Sequence, residues 1–331
     1  MRARPLVPVL IILSLIPAPP PPSPPPNKRN TGYPYVVALR ASDGNLLYAS
    51  RLSDHIAALI TMAPTIEGTH GYVGISSLEE LRAVDKNYPC CDARGSFVKF
   101  ELATGRILWQ TYMTVPSFAG ASVWGSMAPI DRARNQVIIA TSNNHHRPEV
   151  VDACLRALGP LTHANIAEQI ACENLAGGEQ NWRESIVALD LDTGKINWAQ
   201  RVGAPDAWNG GCFAGDGSNP NCPKPEGPDD AFGQAPMLVT ACRRGSGCKQ
   251  LAIVAQKSGI VWAVRVDTGA LEWHTQVGPG GLIGGMMWGS ASDNERVYVS
   301  NNNLFHLPLT GLPLVGASGV PTGGMAAALD S

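Results

Sequence analysis

Little in this chain is charged. Asp, Glu, Lys and Arg supply 16% of 331 residues, and 25 basic against 27 acidic side chains leave a net charge near −2 at pH 7. Phosphate binding wants a basic face, so nucleic acid is not an expected partner. Long amphipathic helical patterns are scarce, residues 151–174 being the best stretch. No C-x-x-C-H run occurs, which removes a covalently attached c-type haem, and no N-x-S/T sequon occurs either. Residues 6–16 are apolar but too few to span a bilayer. They follow Arg2 and Arg4 and precede Ala18 and the proline run 19–26, so residues 1–32 read as a cleaved secretory signal and an extended spacer. The mature chain is then expected to be secreted and to have no membrane span.

Gly (35) and Pro (27) are abundant, which suits many short strands joined by tight turns. Eight Cys in a secreted chain predict disulfides. Nearness pairs Cys154 with Cys172, Cys212 with Cys222 and Cys242 with Cys248; the adjacent Cys90 and Cys91 remain over.

One pattern recurs. Residues 186–198 read I-V-A-L-D-L-D-T-G-K-I-N-W, a predicted β-hairpin with Asp192 bonding its own backbone and Gly194 supplying positive φ. Copies begin at 38, 99, 188 and 263, with Trp109, Trp198 and Trp273 four residues after the turn glycine and Tyr48 in the weaker first copy. A further copy begins at 328. Self-similarity at this period predicts an all-β fold, a β-propeller of four-stranded blades over 33–331, with about four blades and the start of a fifth. An unclosed ring exposes strand edges. Three readings stand: the ring continues beyond residue 331, closes with fewer blades, or is completed by another chain. The first is preferred, because 331 falls inside a repeat.

A second element also repeats. Residues 124–144 and 288–303 both run Trp-Gly-Ser, Asp, an apolar strand and an Asn cluster. Trp124 and Trp288 suit either blade-to-blade packing or the stacking of a flat ligand. The glycine-rich stretch 278–285 does not fit a nucleotide-binding motif and reads as an inter-blade loop. His145 and His146 read as surface imidazoles.

Taken together, the A-x-D-x-x-T-G-x-x-x-W units, the Glu after G-I-S-S, C-C-x-x-R-G-S, W-G-S-x-x-x-I-D, T-S-N-N and Q-K-S-G resemble the quinoprotein alcohol dehydrogenases, in particular their polyvinyl alcohol dehydrogenase-like branch. The resemblance implies an eight-bladed propeller holding pyrroloquinoline quinone and Ca²⁺. It implies a small or polymeric alcohol as substrate and leaves the electron acceptor unnamed. By position it implies Glu79 and Asn143 as Ca²⁺ ligands. Trp124, Lys257, Arg94 and Trp288 would then lie around the quinone, as would Cys90 and Cys91, joined as a vicinal disulfide. The family's base is an Asp in a D-F-G-like segment. Here that segment is P-D-D-A-F-G, which sets Ala231 in its place and leaves Asp230 or Asp229 to serve. A non-catalytic extracellular binding module is the competing expectation.

Overall fold

The computed structural model describes residues 9–14, 33–243, 247–309 and 323–330. They form five main antiparallel sheets in chain order and a sixth, two-stranded one that pairs Ala119–Gly120 with Asn144–His146, with helices confined to short insertions. The third sheet orders Ile130–Asp131, Gln136–Ala140, Ser185–Asp190 and Ile196–Arg201; the fourth orders Met237–Arg243, Gly247–Ala255, Ile260–Arg265 and Leu271–Gln276. The second has the same path from Ala58–Leu59 to Ile107–Tyr112, with Thr65–Glu67 added beside His70–Ser77. The fifth comprises Ala291–Ser292, Arg296–Asn301 and Met325–Asp330. In the first, Val9–Ser14 runs antiparallel to Tyr35–Arg40, which pairs with Leu46–Arg51. The rest of the expected leader lies outside the described residues.

The repeated hairpins share one geometry because they share one turn. Gly44, Gly105, Gly194 and Gly269 all have φ between 69° and 74°. Each donates its N–H at 2.8–2.9 Å to the carbonyl four residues back. The ladder shifts register at the same place in every copy, leaving Ala38 opposite Tyr48, Lys99 opposite Trp109, Ala188 opposite Trp198 and Ala263 opposite Trp273. The carboxylate that closes the 186–198 turn is Asp190, not Asp192. Asp190 Oδ1 accepts the Asp192 and Thr193 amides and the Thr193 hydroxyl, while Asp192 accepts from Asn135. The first acid of the motif sits one residue before the chain reverses, where its oxygen meets the amides pointing inward.

The turn glycine and the aromatic residue lock successive sheets together. The Trp109 indole donates to the Leu191 carbonyl of the third sheet at 3.2 Å and covers Gly194, where a Cβ would fall 2.6 Å from the ring. Trp198 repeats this on Val266, at 3.0 Å, and on Gly269 of the fourth sheet. Three apolar cores result. One spans the first to third sheets around Phe97, Phe100 and Val187; one joins the third and fourth around Ile138 and Val264; one joins the fourth and fifth around Ile253 and Val297. Inner strands such as Gln136–Ala140 are buried on both faces, whereas the outer Ile196–Arg201 is partly solvated.

All four expected disulfides form. Cys154–Cys172 staples the helices Glu149–Ala157 and Ile166–Asn174 over a small core of Phe118, Val151 and Leu155. Cys242–Cys248 clamps the first hairpin of the fourth sheet. Among the described residues no helix is long and apolar enough to cross a membrane.

Candidate functional site

The connections between inner strands carry the chemistry. Gly247–Ala255 ends just before Lys257, whose backbone N–H is held by the Ala231 carbonyl at 3.2 Å. The glycine-rich stretch wraps this point: a Cβ on Gly285 would stand 1.9 Å from the Lys257 carbonyl. The side chain is thereby turned inward, 6% exposed, and its ammonium donates to Asp229 Oδ2 at 2.9 Å. It also stands 5.7 Å from the centroid of Trp124. Asp229 is held at φ 62°, a conformation costly for a non-glycine residue, and its Oδ1 is buried with no donor. Burial pushes the Asp229 carboxyl well up, and the Lys257 ammonium opposes that rise.

Trp124 and Trp288 meet edge to face with centroids 6.2 Å apart, and the Ser126 hydroxyl ties to the Trp288 carbonyl. The packing and stacking alternatives therefore separate. Trp124 is partly enclosed against Gly233, while Trp288 is 76% exposed.

Asn143 lies between Gln136–Ala140 and Asn144–His146 and is 1% exposed. Its Nδ2 donates to the Asn144 and Trp208 carbonyls, which aims Oδ1 away from both and leaves it without a partner. His145 corrects the surface expectation: it is fully buried, neither ring nitrogen has a hydrogen-bond partner, and Nε2 lies 3.7 Å from Glu80. Burial favours its neutral form and pushes its pKa down. The strand Asn144–His146 is short and pairs only with Ala119–Gly120, so alternation along it sends His145 inward and His146 outward. Asn209 bridges this region to the vicinal disulfide, donating to the His145 carbonyl at 2.8 Å and lying 3.8 Å from Cys90 Sγ.

Other candidates face elsewhere. Glu79 is fully buried, but its oxygens accept the Asp92 and Ala93 amides at 3.0 and 2.7 Å and the Tyr88 hydroxyl at 3.1 Å. Its nearest basic side chain is His55, 4.0 Å away and itself within 2.9 Å of Asp92. Among the described residues no hydrogen bond or ion pair joins Glu79 to Asn143. Arg94 stacks over Tyr112 at 4.0 Å and donates to the Thr114 carbonyl. Asp230 turns from Lys257 into a neighbouring cavity of about 490 Å³. Burial, with help from Asp206, pushes its carboxyl up to about 7. Thus contacts join Trp124 with Trp288 and Lys257, and Lys257 with Asp229, while Glu79 and Arg94 contact other residues and Asp230 lines the cavity. The sequence does not flag Glu80 or Asn209 as site residues and places His145 at the surface. Only contact across distant loops reveals them, although Glu80 and His145 each adjoin a flagged residue.

No family model matches the chain. A polyvinylalcohol dehydrogenase of Pseudomonas sp. is 31% identical over 278 residues, which are 80% of this chain and 38% of that protein. One from Sphingopyxis sp. (strain 113P3) is 29% identical over 283 residues, again 38% of its length. The chain therefore spans about two-fifths of the curated relatives it matches. Among solved structures, a quinohemoprotein alcohol dehydrogenase of Pseudomonas putida HK5 superposes with a TM-score of 0.55 at 15% identity, covering 81% of this chain and 40% of that one. The quinohemoprotein alcohol dehydrogenase of Comamonas testosteroni gives 0.53 at 16%, covering 88% and 46%. With its strand-rich fold shared with those enzymes, and four-fifths of its length aligned to the curated relatives, this chain is a homologue of the polyvinyl alcohol dehydrogenases.

Proposed function

We propose that this chain is part of a secreted, quinone-dependent alcohol oxidoreductase, built on an eight-bladed propeller of which it carries about four to five blades. The observation that carries the reading is the buried Asp229–Lys257 pair beside Trp124, with an acceptor oxygen on Asp229 left free. The residues present fit the family's cofactors. The unpartnered Asn143 Oδ1 is a hard oxygen donor suited to Ca²⁺, and the flat indole of Trp124 suits an aromatic ring. When bound, pyrroloquinoline quinone supplies a two-electron acceptor for an alcohol hydride, and Ca²⁺ supplies Lewis acidity.

The chain's own groups do the rest. Lys257 places a positive charge where oxygen atoms gain negative charge. Asp229 Oδ1, with no donor of its own, takes the alcohol proton, while Oδ2 stays anchored to Lys257. The Lys257 ammonium favours the ionised carboxylate against the opposing effect of burial, and the ionised form is the one that can accept a proton. The disulfide of Cys90 and Cys91, within 3.8 Å of Asn209, is the group that would cover the quinone's other face, as the resemblance implies. Four disulfides and the apolar leader motivate secretion. The substrate is a small or polymeric alcohol, and the relatives' name favours the polymer.

Ala231 supports a second reading. The methyl group at the family's base position is buried and cannot accept a proton, as in a binding module that has lost catalysis. Quinone titration in the presence of Ca²⁺, followed through tryptophan fluorescence, separates the two together with dye-linked alcohol oxidation. The enzyme reading expects saturable binding and turnover, both lost in Asp229→Asn. Binding without turnover on small alcohols or polyvinyl alcohol would leave the module; no binding would remove the quinone altogether.

A further inference from the structure

We propose that Glu184, Asp206 and Asp230 form the acid corner of a second cation site, separate from the Trp124–Lys257 region, which takes a hard divalent cation such as Ca²⁺. All three carboxylates line the 490 Å³ cavity between the third and fourth sheets. Glu184 and Asp206 are each 1% exposed, and no N–H or O–H donor reaches Glu184 Oε1 or Asp206 Oδ1; the two carboxyls lie within hydrogen-bond reach of each other, so without a cation they hold a proton between them. Such atoms normally find a donor when buried, so two of them lining one cavity call for that shared proton or a positive ligand.

Charge count points the same way. Arg183 is completely buried and divides itself between Glu173, at 3.0 Å, and Glu184, at 3.2 Å. Arg201 also binds Glu173, at 2.9 Å. Asp206 is met by the Asp230 backbone amide at 2.7 Å, not by a cation. Nearby Arg147 is taken by Asp152 and Lys257 by Asp229. Four carboxyl groups (Glu173, Glu184, Asp206, Asp230) thus share two guanidiniums, so the two in excess are either protonated, as burial favours for Glu184 and Asp230, or ionised and paired by a cation. A divalent cation neutralises both. Ca²⁺ accepts carboxylate oxygens in irregular geometry and fills its remaining positions with water, for which the cavity has room. Its structural effect is to tie Glu184, at the entry to the third sheet's Ser185–Asp190, to the segment that carries Asp229.

Terbium is the probe, since Trp262 lines the same cavity and can sensitise its emission. The full chain is stripped with chelator, kept free of quinone and titrated with Tb³⁺ and then Ca²⁺. Because Asn143 and Glu79 are the ligands expected at the quinone, the Asn143→Ala background weakens that site, and the acid variants assign the emission that remains. The proposal expects saturable Tb³⁺ emission there, displaced by Ca²⁺ and weakened about 10- to 100-fold by Asp206→Asn or Glu184→Gln. Asp230→Asn, which keeps its backbone bond to Asp206, serves if those variants do not fold. Absence of saturable emission in Asn143→Ala, or emission indifferent to the acid variants, overturns it. So does an acid variant that is more stable than a parent whose melting temperature ignores Ca²⁺, since the two carboxylates would then share a proton. Quinone binding enters none of these readouts, so failure of the proposed function leaves the test standing.

Discussion

The outer hairpins and the inner connections of this molecule obey opposite rules. On the outside, turn and aromatic residue repeat with the same φ, register shift and indole-to-carbonyl bond. On the inside the Trp-Gly-Ser and Asn-cluster segments recur but their contacts differ: Asn143 Oδ1 has no partner, whereas Asn301 Oδ1 accepts the Asn303 amide. Asn143, His145, Glu184, Asp206 and Asp229 hold buried polar atoms that no donor reaches, and Glu184 and Asp229 sit at positive φ. A scaffold gains from saturating its hydrogen bonds, whereas a binding site must leave some unsatisfied until its ligand arrives. The two regions touch through single residues, such as Lys257 at the end of a core strand, so they can be broken separately.

The largest effect is expected inside. Asp229→Asn or Lys257→Met leaves its partner as a lone buried charge and should cost about 3–5 kcal/mol, read from denaturant unfolding. The double variant should regain most of that while still binding no quinone. A single variant as stable as the parent would show that this pair is solvated. Outside, Trp198→Ala should cost about 3 kcal/mol through lost packing and the lost bond to Val266. Quinone affinity should change little if the scaffold refolds around it. The turn glycines sharpen the point. Gly44 has open space around it, so Gly44→Ala should cost only about 1–2 kcal/mol for its left-handed backbone. Gly194→Ala should cost more in the same assay, because its Cβ would also strike Trp109. Equal costs would mean that the aromatic lock contributes nothing.

The same contrast explains what was legible in the chain. Hairpins, disulfide partners and the helical insertion follow from short-range patterns, in which spacing alone decides which residues meet. Glu80 meeting His145, or Asn209 reaching Cys90, joins loops more than 60 residues apart. Pairings that distant leave no local period to read. Asp229 and Asp230 show the limit most plainly. They are adjacent and chemically identical, yet one backbone angle sends one to Lys257 and the other into a separate cavity.

The smallest effect tests the scaffold where its repeat is weakest. Tyr48 occupies the place of Trp109 and Trp198, and its ring covers Gly105 as theirs cover Gly194 and Gly269. A phenol reaches differently from an indole. Its hydroxyl is buried without a partner, and burial pushes it above the usual phenol range. In the other copies the indole bonds the carbonyl one residue after the first residue of the turn, which here is Leu102. Tyr48→Phe removes the stranded hydroxyl and should stabilise by up to about 1 kcal/mol. Tyr48→Trp should gain at least as much, since it both removes that hydroxyl and restores the bond between the first and second sheets. Should Tyr48→Trp destabilise while Tyr48→Phe stabilises, the first hairpin sits at a different distance from its neighbour, and the docking geometry is not common to every sheet.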